Sequence, residues 1–305
     1  MSTCTNASAE LGEPLAATAA TASTWLLLEQ PGPWGAKALT SSHLDPAVGR
    51  ALEKAAKGTG VRVALIRRPG RHADFRVPPS RHQVLIAHVV PGRSWIRQDV
   101  IDDPAALLEL DFAALGTGEH RGFGQPHREP VALVCTNGRR DRCCALNGRP
   151  LAARLAAEGG GSGVWEITHI GGHRFSPTML VLPSGYAYGR IDAELAHGVL
   201  KAARDDRIGL EGCRGASAWD RPGQAADLAV RSLTGEDRTD ALVVERTEGS
   251  SPAWSVRVAH TDGRSWDVGV TEVPALPPRP ESCGAALGSP ARMEVTGIEA
   301  VAGGR

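Results

Sequence analysis

Residues 131–169, VALVCTNGRRDRCCALNGRPLAARLAAEGGGSGVWEITH, decide the reading of this chain. VALVC is a short apolar run of strand length, RPLAARLAAEGGGSG is built of helix formers and ends in glycines, and VWEITH is a second strand, so the stretch predicts a strand–helix–strand unit. Cys135 then stands at the C-terminal end of a buried strand, the edge of an open α/β sheet where ligands collect. Asp141 can cap the turn that follows and place Cys144 at a helix start, where unpaired N–H groups favour thiolate over thiol. Adjacent helical residues point about 100° apart, so Cys143 and Cys144 are not expected to face the same metal. Beyond the second strand, His169 and His173 lie four residues apart, with Gly171 and Gly172 between them predicting a loop whose bare backbone lets something bulky approach.

Outward from this unit the same alternation continues. TMLVLPSGYAYGRI reads as a hairpin turning at Pro183-Ser184-Gly185, and DAELAHGVLKAARDD as a helix. Upstream, TWLLLEQPGPWG is a short strand running into a turn, and DPAVGRALEKAAK is a helix with an acidic start and Gly58 beyond its end. VRVALIRR and RHQVLIAHVV are strands, DPAALLELDFAAL a further helix, and GTGEHRGFGQPHREP a loop. Downstream, after a helical stretch around Gln224–Ser232, DALVVERT, WSVRVAHT, RSWDVGVTEV and RMEVTGIEAV alternate polar and apolar residues, interrupted by the Pro-rich PALPPRPESCG. The fold class is therefore α/β: two α/β lobes followed by a small antiparallel β region. The expected organisation is a flexible leader over 1–20, a first lobe over 21–125, a second lobe over 126–215 that carries the cysteines and histidines, and a helix plus small β-sheet over 216–305.

The 305 residues suffice for cores of ordinary size, and the 34 basic and 34 acidic side chains cancel. No global field draws the protein to nucleic acid or an anionic membrane surface, and neither is expected as a partner. No apolar stretch approaches a membrane span, and the N-terminus lacks a signal peptide's basic start, so a reducing cytoplasm is expected. In that compartment six cysteines, three of them within ten residues, read as thiols or metal ligands rather than a disulfide framework.

CTNGRRDRCCALNGRPLA together with THIGGHRFSPTMLVLPSGYAYGRI resembles the sucrase/ferredoxin-like family, whose members resemble thioredoxin-like ferredoxins. The resemblance runs from TWLLLEQPGPWG to the RPESCG segment. It implies two thioredoxin-like or ferredoxin-like lobes and a [2Fe-2S] cluster whose ligands are Cys135 and Cys144 on one iron and His169 and His173 on the other. It also makes Arg140 and Asp141 the Arg-Asp pair between the cysteines, and favours Cys144 over Cys143, because related eukaryotic proteins have Arg where Cys143 stands. Asn137 departs from the pattern, since the family commonly has His there. The implied role is one-electron transfer between redox donor and acceptor proteins that the sequence does not identify, and histidine ligands make coupling to a proton the expectation. A carrier is expected rather than a catalyst, and sucrase activity has no support, because no motif places the pair of carboxylates that glycoside hydrolysis requires.

Around the ligands, Asn137, Arg139, Arg140, Asp141, Arg142, Cys143, Gly171 and Gly172 are candidates for supporting the site or docking a partner. Arg140 is expected to contact Asp141, and the RGFGQPHREP loop and the segment from Arg214 to Trp219 are candidate partner surfaces. Two other readings use the same residues. A structural zinc site could take Cys₂His₂, although eight residues separate the cysteines where zinc fingers have two to four. A thiol-disulfide protein could use Cys143 and Cys144, although the usual Cys-x-x-Cys is absent and a bridge between adjacent residues is strained.

Overall fold

The computed structural model describes residues 3–70, 79–158 and 163–301. In chain order the elements are α1 (Cys4–Glu10), β1 (Thr24–Glu29), α2 (Pro46–Ala56), β2 (Val61–Arg67), β3 (His82–His88), β4 (Trp95–Ile101), α3 (Phe112–Thr117), β5 (Gln125–His127) and β6 (Val131–Cys135). There follow α4 (Arg142–Glu158), β7 (Val164–Ile167), β8 (Thr178–Leu182), β9 (Tyr186–Gly189), α5 (Ala193–Arg204), β10 (Cys213–Ala216) and α6 (Arg221–Thr234). The chain closes with β11 (Leu242–Ser250), β12 (Ala253–His260), β13 (Ser265–Pro274), β14 (Arg279–Pro280), β15 (Leu287–Gly288) and β16 (Ala291–Ala300).

The first ten strands form one sheet in the order β10-β9-β8-β6-β7-β2-β1-β3-β4-β5. Two halves of the same winding meet in it. β1 and β2 are parallel and joined through α2, with the β3–β4 pair antiparallel on the free side of β1; β6 and β7 are parallel and joined through α4, with the β8–β9 hairpin on the free side of β6. These are the two expected lobes, and they share a continuous sheet. β2 and β7 join them by a short antiparallel seam, Ile66 opposite Ile167 and Arg67 opposite Glu166.

Both faces of this sheet are covered, which is why its central strands are continuous apolar runs rather than alternating ones. Trp25, Leu27, Leu133 and Cys135 face a core shared by the two lobes, while Leu26 and Leu28 pack with Leu52 of α2 and Ala132 and Val134 pack with Leu151 and Leu155 of α4. β11, β12, β13 and β16 form a separate antiparallel sheet that closes over α6 through Val256, Val258, Val268 and Val270. α6 is fastened to β9 by polar contacts: Tyr186 donates its hydroxyl to Asp227 at 2.8 Å, and Arg231 donates to Asp227 at 3.1 Å and to the Tyr186 oxygen at 3.0 Å. No helix among the described residues is long and apolar enough to cross a membrane.

Three local expectations change. The leader is not loose: α1 folds within residues 1–20 and buries Cys4, Thr5 and Ser8, and Glu13 pairs with Arg279 at 2.9 Å and Arg174 at 2.8 Å, so two ion pairs dock the segment. The helix expected over 103–115 breaks into a 3-10 turn (Pro104–Glu109) and α3, because Leu110 is extended and Asp111 caps a fresh start by accepting the Ala114 N–H. The helix read from residue 149 begins seven residues earlier, at Arg142, with Pro150 inside it. Proline removes the bond to the Leu146 carbonyl, and Leu146 lies on the exposed side, where water can satisfy that group. Residues 159–162, expected to end this helix, lie outside the described residues.

Candidate metal centre

The parallel pair β6/β7 sets the site. Cys135 lies opposite Ile167, so both strands end side by side and the loops that leave them meet at one sheet edge. After Cys135 the chain turns tightly, the Asn137 carbonyl accepting the N–H groups of Arg140 and Asp141 at 3.2 Å each. Asp141 Oδ1 then accepts the Cys143 N–H at 3.0 Å and caps α4. Cys144, one residue on, turns inward, and its sulfur, the Cys135 sulfur and a ring nitrogen of His169 all lie within 4.8 Å of one another. Cys143 points elsewhere, as the helical 100° step requires.

The second loop is tied to the other lobe: Thr168 exchanges bonds with Leu65, donating its N–H to the Leu65 carbonyl at 3.0 Å and accepting the Leu65 N–H on its hydroxyl at 3.1 Å. Gly171 and Gly172 have φ of +81° and +67°, a left-handed pair that reverses the chain into a 3-10 turn, His173–Phe175. The rings of His169 and His173 are thereby brought to 5.0 Å between centroids. His173 does not join the close trio; its Nε2 faces Asp141 Oδ2 at 3.6 Å. A Cβ on Gly172 would stand 2.0 Å from the Arg214 guanidinium, so that glycine makes room for an arginine rather than for a bulky ligand.

Three imidazole nitrogens, His169 Nδ1 and both of His173, are buried with no hydrogen-bond partner among the described residues. Unpaired buried polar atoms are costly and ask for an explanation, and a metal supplies one. Burial lowers the His173 pKa, with Asp141 opposing, so the ring stays neutral at neutral pH, the form in which imidazole ligates. The Cys135 thiol is held well below its ordinary value, first because it accepts the Cys144 S–H and then because His169 and the Asn137 N–H also point at it. Cys144 is pushed up in return, by the proton it shares with Cys135 and by burial. The pair thus retains one proton without a cation, and a bound metal would displace it.

Two cations missed by sequence reasoning lie behind this cluster. Arg214 is fully buried, donates to Thr18 Oγ1 at 3.0 Å, to the Thr18 carbonyl and to the Gly171 carbonyl at 3.2 Å, and is pushed by burial down to about 10. It is no part of a partner surface. Arg62 donates to the His169 carbonyl at 3.2 Å and stacks on Trp25. Both would offset negative charge at the cysteines. Nothing in the local sequence flags them, because a buried arginine in a short apolar strand is recognised only by what surrounds it.

Of the other expected residues, Asn137 is buried and bridges the lobes, donating to the Gly35 carbonyl at 3.2 Å. Arg139, Arg140 and Arg142 are exposed. The anticipated Arg140–Asp141 contact is not formed among the described residues; Asp141 is turned inward, where Cys143, Ser282 and Cys283 hold its carboxylate. The close approach of α4 to β6 gives a test. A Cβ on Gly148 would lie 2.1 Å from the Cys135 carbonyl oxygen, a backbone atom that cannot swing away. Gly148→Ala should therefore lift the helix and destabilise the protein by about 1–3 kcal/mol; an unchanged urea midpoint would contradict the packing.

The sucrase/ferredoxin-like family model matches residues 15–215, two thirds of the chain, ending with β10. No curated protein and no solved structure matches significantly. Among the described residues, Cys135, Cys144 and His169, and Cys4, Asp141, Cys143 and Cys283, are groupings that could hold a metal ion, and the chain belongs to the sucrase/ferredoxin-like family.

Proposed function

We propose that the protein is an electron carrier in which Cys135 and Cys144 hold one iron, and His169 and His173 the other, of a [2Fe-2S] cluster. The observation that carries this reading is the set of buried, unpartnered imidazole nitrogens beside two buried cysteines whose sulfurs lie within 4.8 Å of each other and of a His169 nitrogen. Membership of a ferredoxin-like family supports it. Four ligands of a single zinc would all stand within about 4 Å of one another at ordinary bond lengths. His173 stands outside the trio, so a single zinc on all four residues would require its ring to move.

When bound, such a cluster takes up and releases one electron. The residues around it shape that exchange. Two neutral imidazoles in place of two thiolates remove negative charge, and Arg62 and Arg214 add positive charge, so the reduced state is favoured relative to an all-cysteine centre. A proton held on His173 Nε2 would face the Asp141 carboxylate, coupling reduction to proton uptake. Thr5 of α1 donates to the His173 carbonyl at 3.1 Å and holds that turn against α1. The exposed Arg139, Arg140 and Arg142 are the proposed docking surface for acidic redox donor and acceptor proteins.

Anaerobically purified protein should be red-brown, with about two irons and two sulfides per chain and an EPR signal on reduction. Its potential should fall as pH rises between the imidazole pKa values of the oxidised and reduced states, by about 59 mV per unit for one proton per electron. His173→Cys should keep a cluster and move its potential from the range of roughly −150 to +300 mV toward about −400 mV. A colourless protein holding only zinc would refute the assignment.

A further inference from the structure

Cys143, turned away from the centre described above, meets two cysteines from the far ends of the chain. Its sulfur lies 3.1 Å from that of Cys283 and 3.5 Å from that of Cys4, and the Cys4–Cys283 distance is 3.6 Å. Both oxygens of Asp141 lie 3.8 Å from the Cys4 sulfur. We propose that Cys4, Cys143, Cys283 and the Asp141 carboxylate form a second metal site, for a single soft divalent cation of the zinc type.

The geometry is that of one ion. A tetrahedral zinc with thiolates at 2.3 Å and a carboxylate oxygen at 2.0 Å sets sulfur–sulfur edges of about 3.8 Å and sulfur–oxygen edges of about 3.5 Å. The sulfur–sulfur edges, at 3.1, 3.5 and 3.6 Å, are somewhat shorter than these, and the Cys4–Asp141 edges, at 3.8 Å, slightly longer, so a bound ion would spread the sulfurs by a few tenths of an ångström. A disulfide would join only two of the sulfurs and leave the third, whereas all three are mutually close.

The surroundings are organised as a metal site's are. Asp141 accepts the Cys143 N–H at 3.0 Å on Oδ1, and the Cys283 N–H at 2.9 Å and the Ser282 hydroxyl at 3.0 Å on Oδ2, bonds that fix a ligating carboxylate in place. Two segments far apart in sequence are held against each other independently of the sulfurs, by Glu13 between Arg279 and Arg174. Burial pushes the Cys4 and Cys283 thiols up, so a dication binding there would displace their protons. Such an ion would clip residues 4, 143 and 283 together, closing loops of more than a hundred residues and stabilising the fold through the unfolded chain's lost freedom. Cys4 and Cys283 both lie outside the matched family region, so the site is an addition to that fold.

The test is zinc content and thermal midpoint of the reduced full chain equilibrated with zinc alone. Cys4→Ser and Cys283→Ser are each made in two backgrounds, the wild type and Cys135→Ser, the latter disabling the other centre, and each is compared with its parent. Cys4 and Cys283 touch only the proposed site. Each serine variant should hold about one zinc fewer than its parent in both backgrounds and lose the zinc-induced rise in midpoint. Equal zinc in parent and variants, loss seen only when Cys135 is intact, or a Cys143–Cys283 disulfide by mass spectrometry in protein purified without oxygen or added reductant would each overturn the proposal. Iron and sulfide in the Cys135-intact proteins report separately on the electron-carrier reading.

Discussion

Cys144→Ala, purified without oxygen, is expected to contain almost no iron or acid-labile sulfide, whereas Cys143→Ala is expected to retain both. The two cysteines differ by a single step along α4, about 100° of rotation, and that step separates two environments. Cys144 belongs to the core shared by the lobes and shares a proton with Cys135; Cys143 faces Cys4 and Cys283. A cluster deprived of one thiolate loses a bond to iron that no neighbour replaces, since the Cys143 sulfur is aimed about 100° away on a helix whose start is pinned by Asp141 and whose body is pinned at Gly148. Iron retained in Cys144→Ala and lost in Cys143→Ala would reverse the assignment and the proposed second site with it. The measurement is iron and sulfide per chain, with the visible spectrum as a check on intact folding around the cluster.

Much of this centre could be read from the chain because its parts are local. A strand ending at Cys135, a cap at Asp141 and a turn containing Gly171 and Gly172 are each set by a few neighbouring residues, and the structure has all three. What sequence could not supply came from distance. β4, with only Ile96 buried in it, lies near the sheet edge and carries too few apolar residues to read as a strand. α1 shows no apolar stripe; Cys4, Thr5 and Ser8 are buried by segments more than a hundred residues away, and so the leader looked loose. Gly172 was legible as a special backbone position, but its reason, the guanidinium of Arg214, was not. The meeting of Cys4, Cys143 and Cys283 spans 279 residues and has no trace in local spacing.

The seam between the lobes should be the most sensitive place in the fold. Only two residue pairs join β2 to β7, and one of them, Arg67–Glu166, is an ion pair at 2.8 Å whose side chains are each 3% exposed. The guanidinium also donates to the Gly32 carbonyl at 2.6 Å and stacks on Trp34 at 3.9 Å, while Glu166 accepts the Thr136 hydroxyl at 2.7 Å, next to Cys135. Glu166→Ala would leave a buried cation without its counter-charge and a buried hydroxyl without its acceptor, a loss of about 3–5 kcal/mol. That is a large part of the 5–15 kcal/mol typical of a folded domain. Replacing both partners by apolar residues, Arg67→Met with Glu166→Leu, removes the charge together with its partner and should cost much less, because the pair's attraction mainly offsets its own desolvation. Chemical denaturation of the single and double variants separates the two effects. A Glu166→Ala cost below about 1 kcal/mol would mean that the seam is held by packing of Ile66 on Ile167 and not by this charge pair.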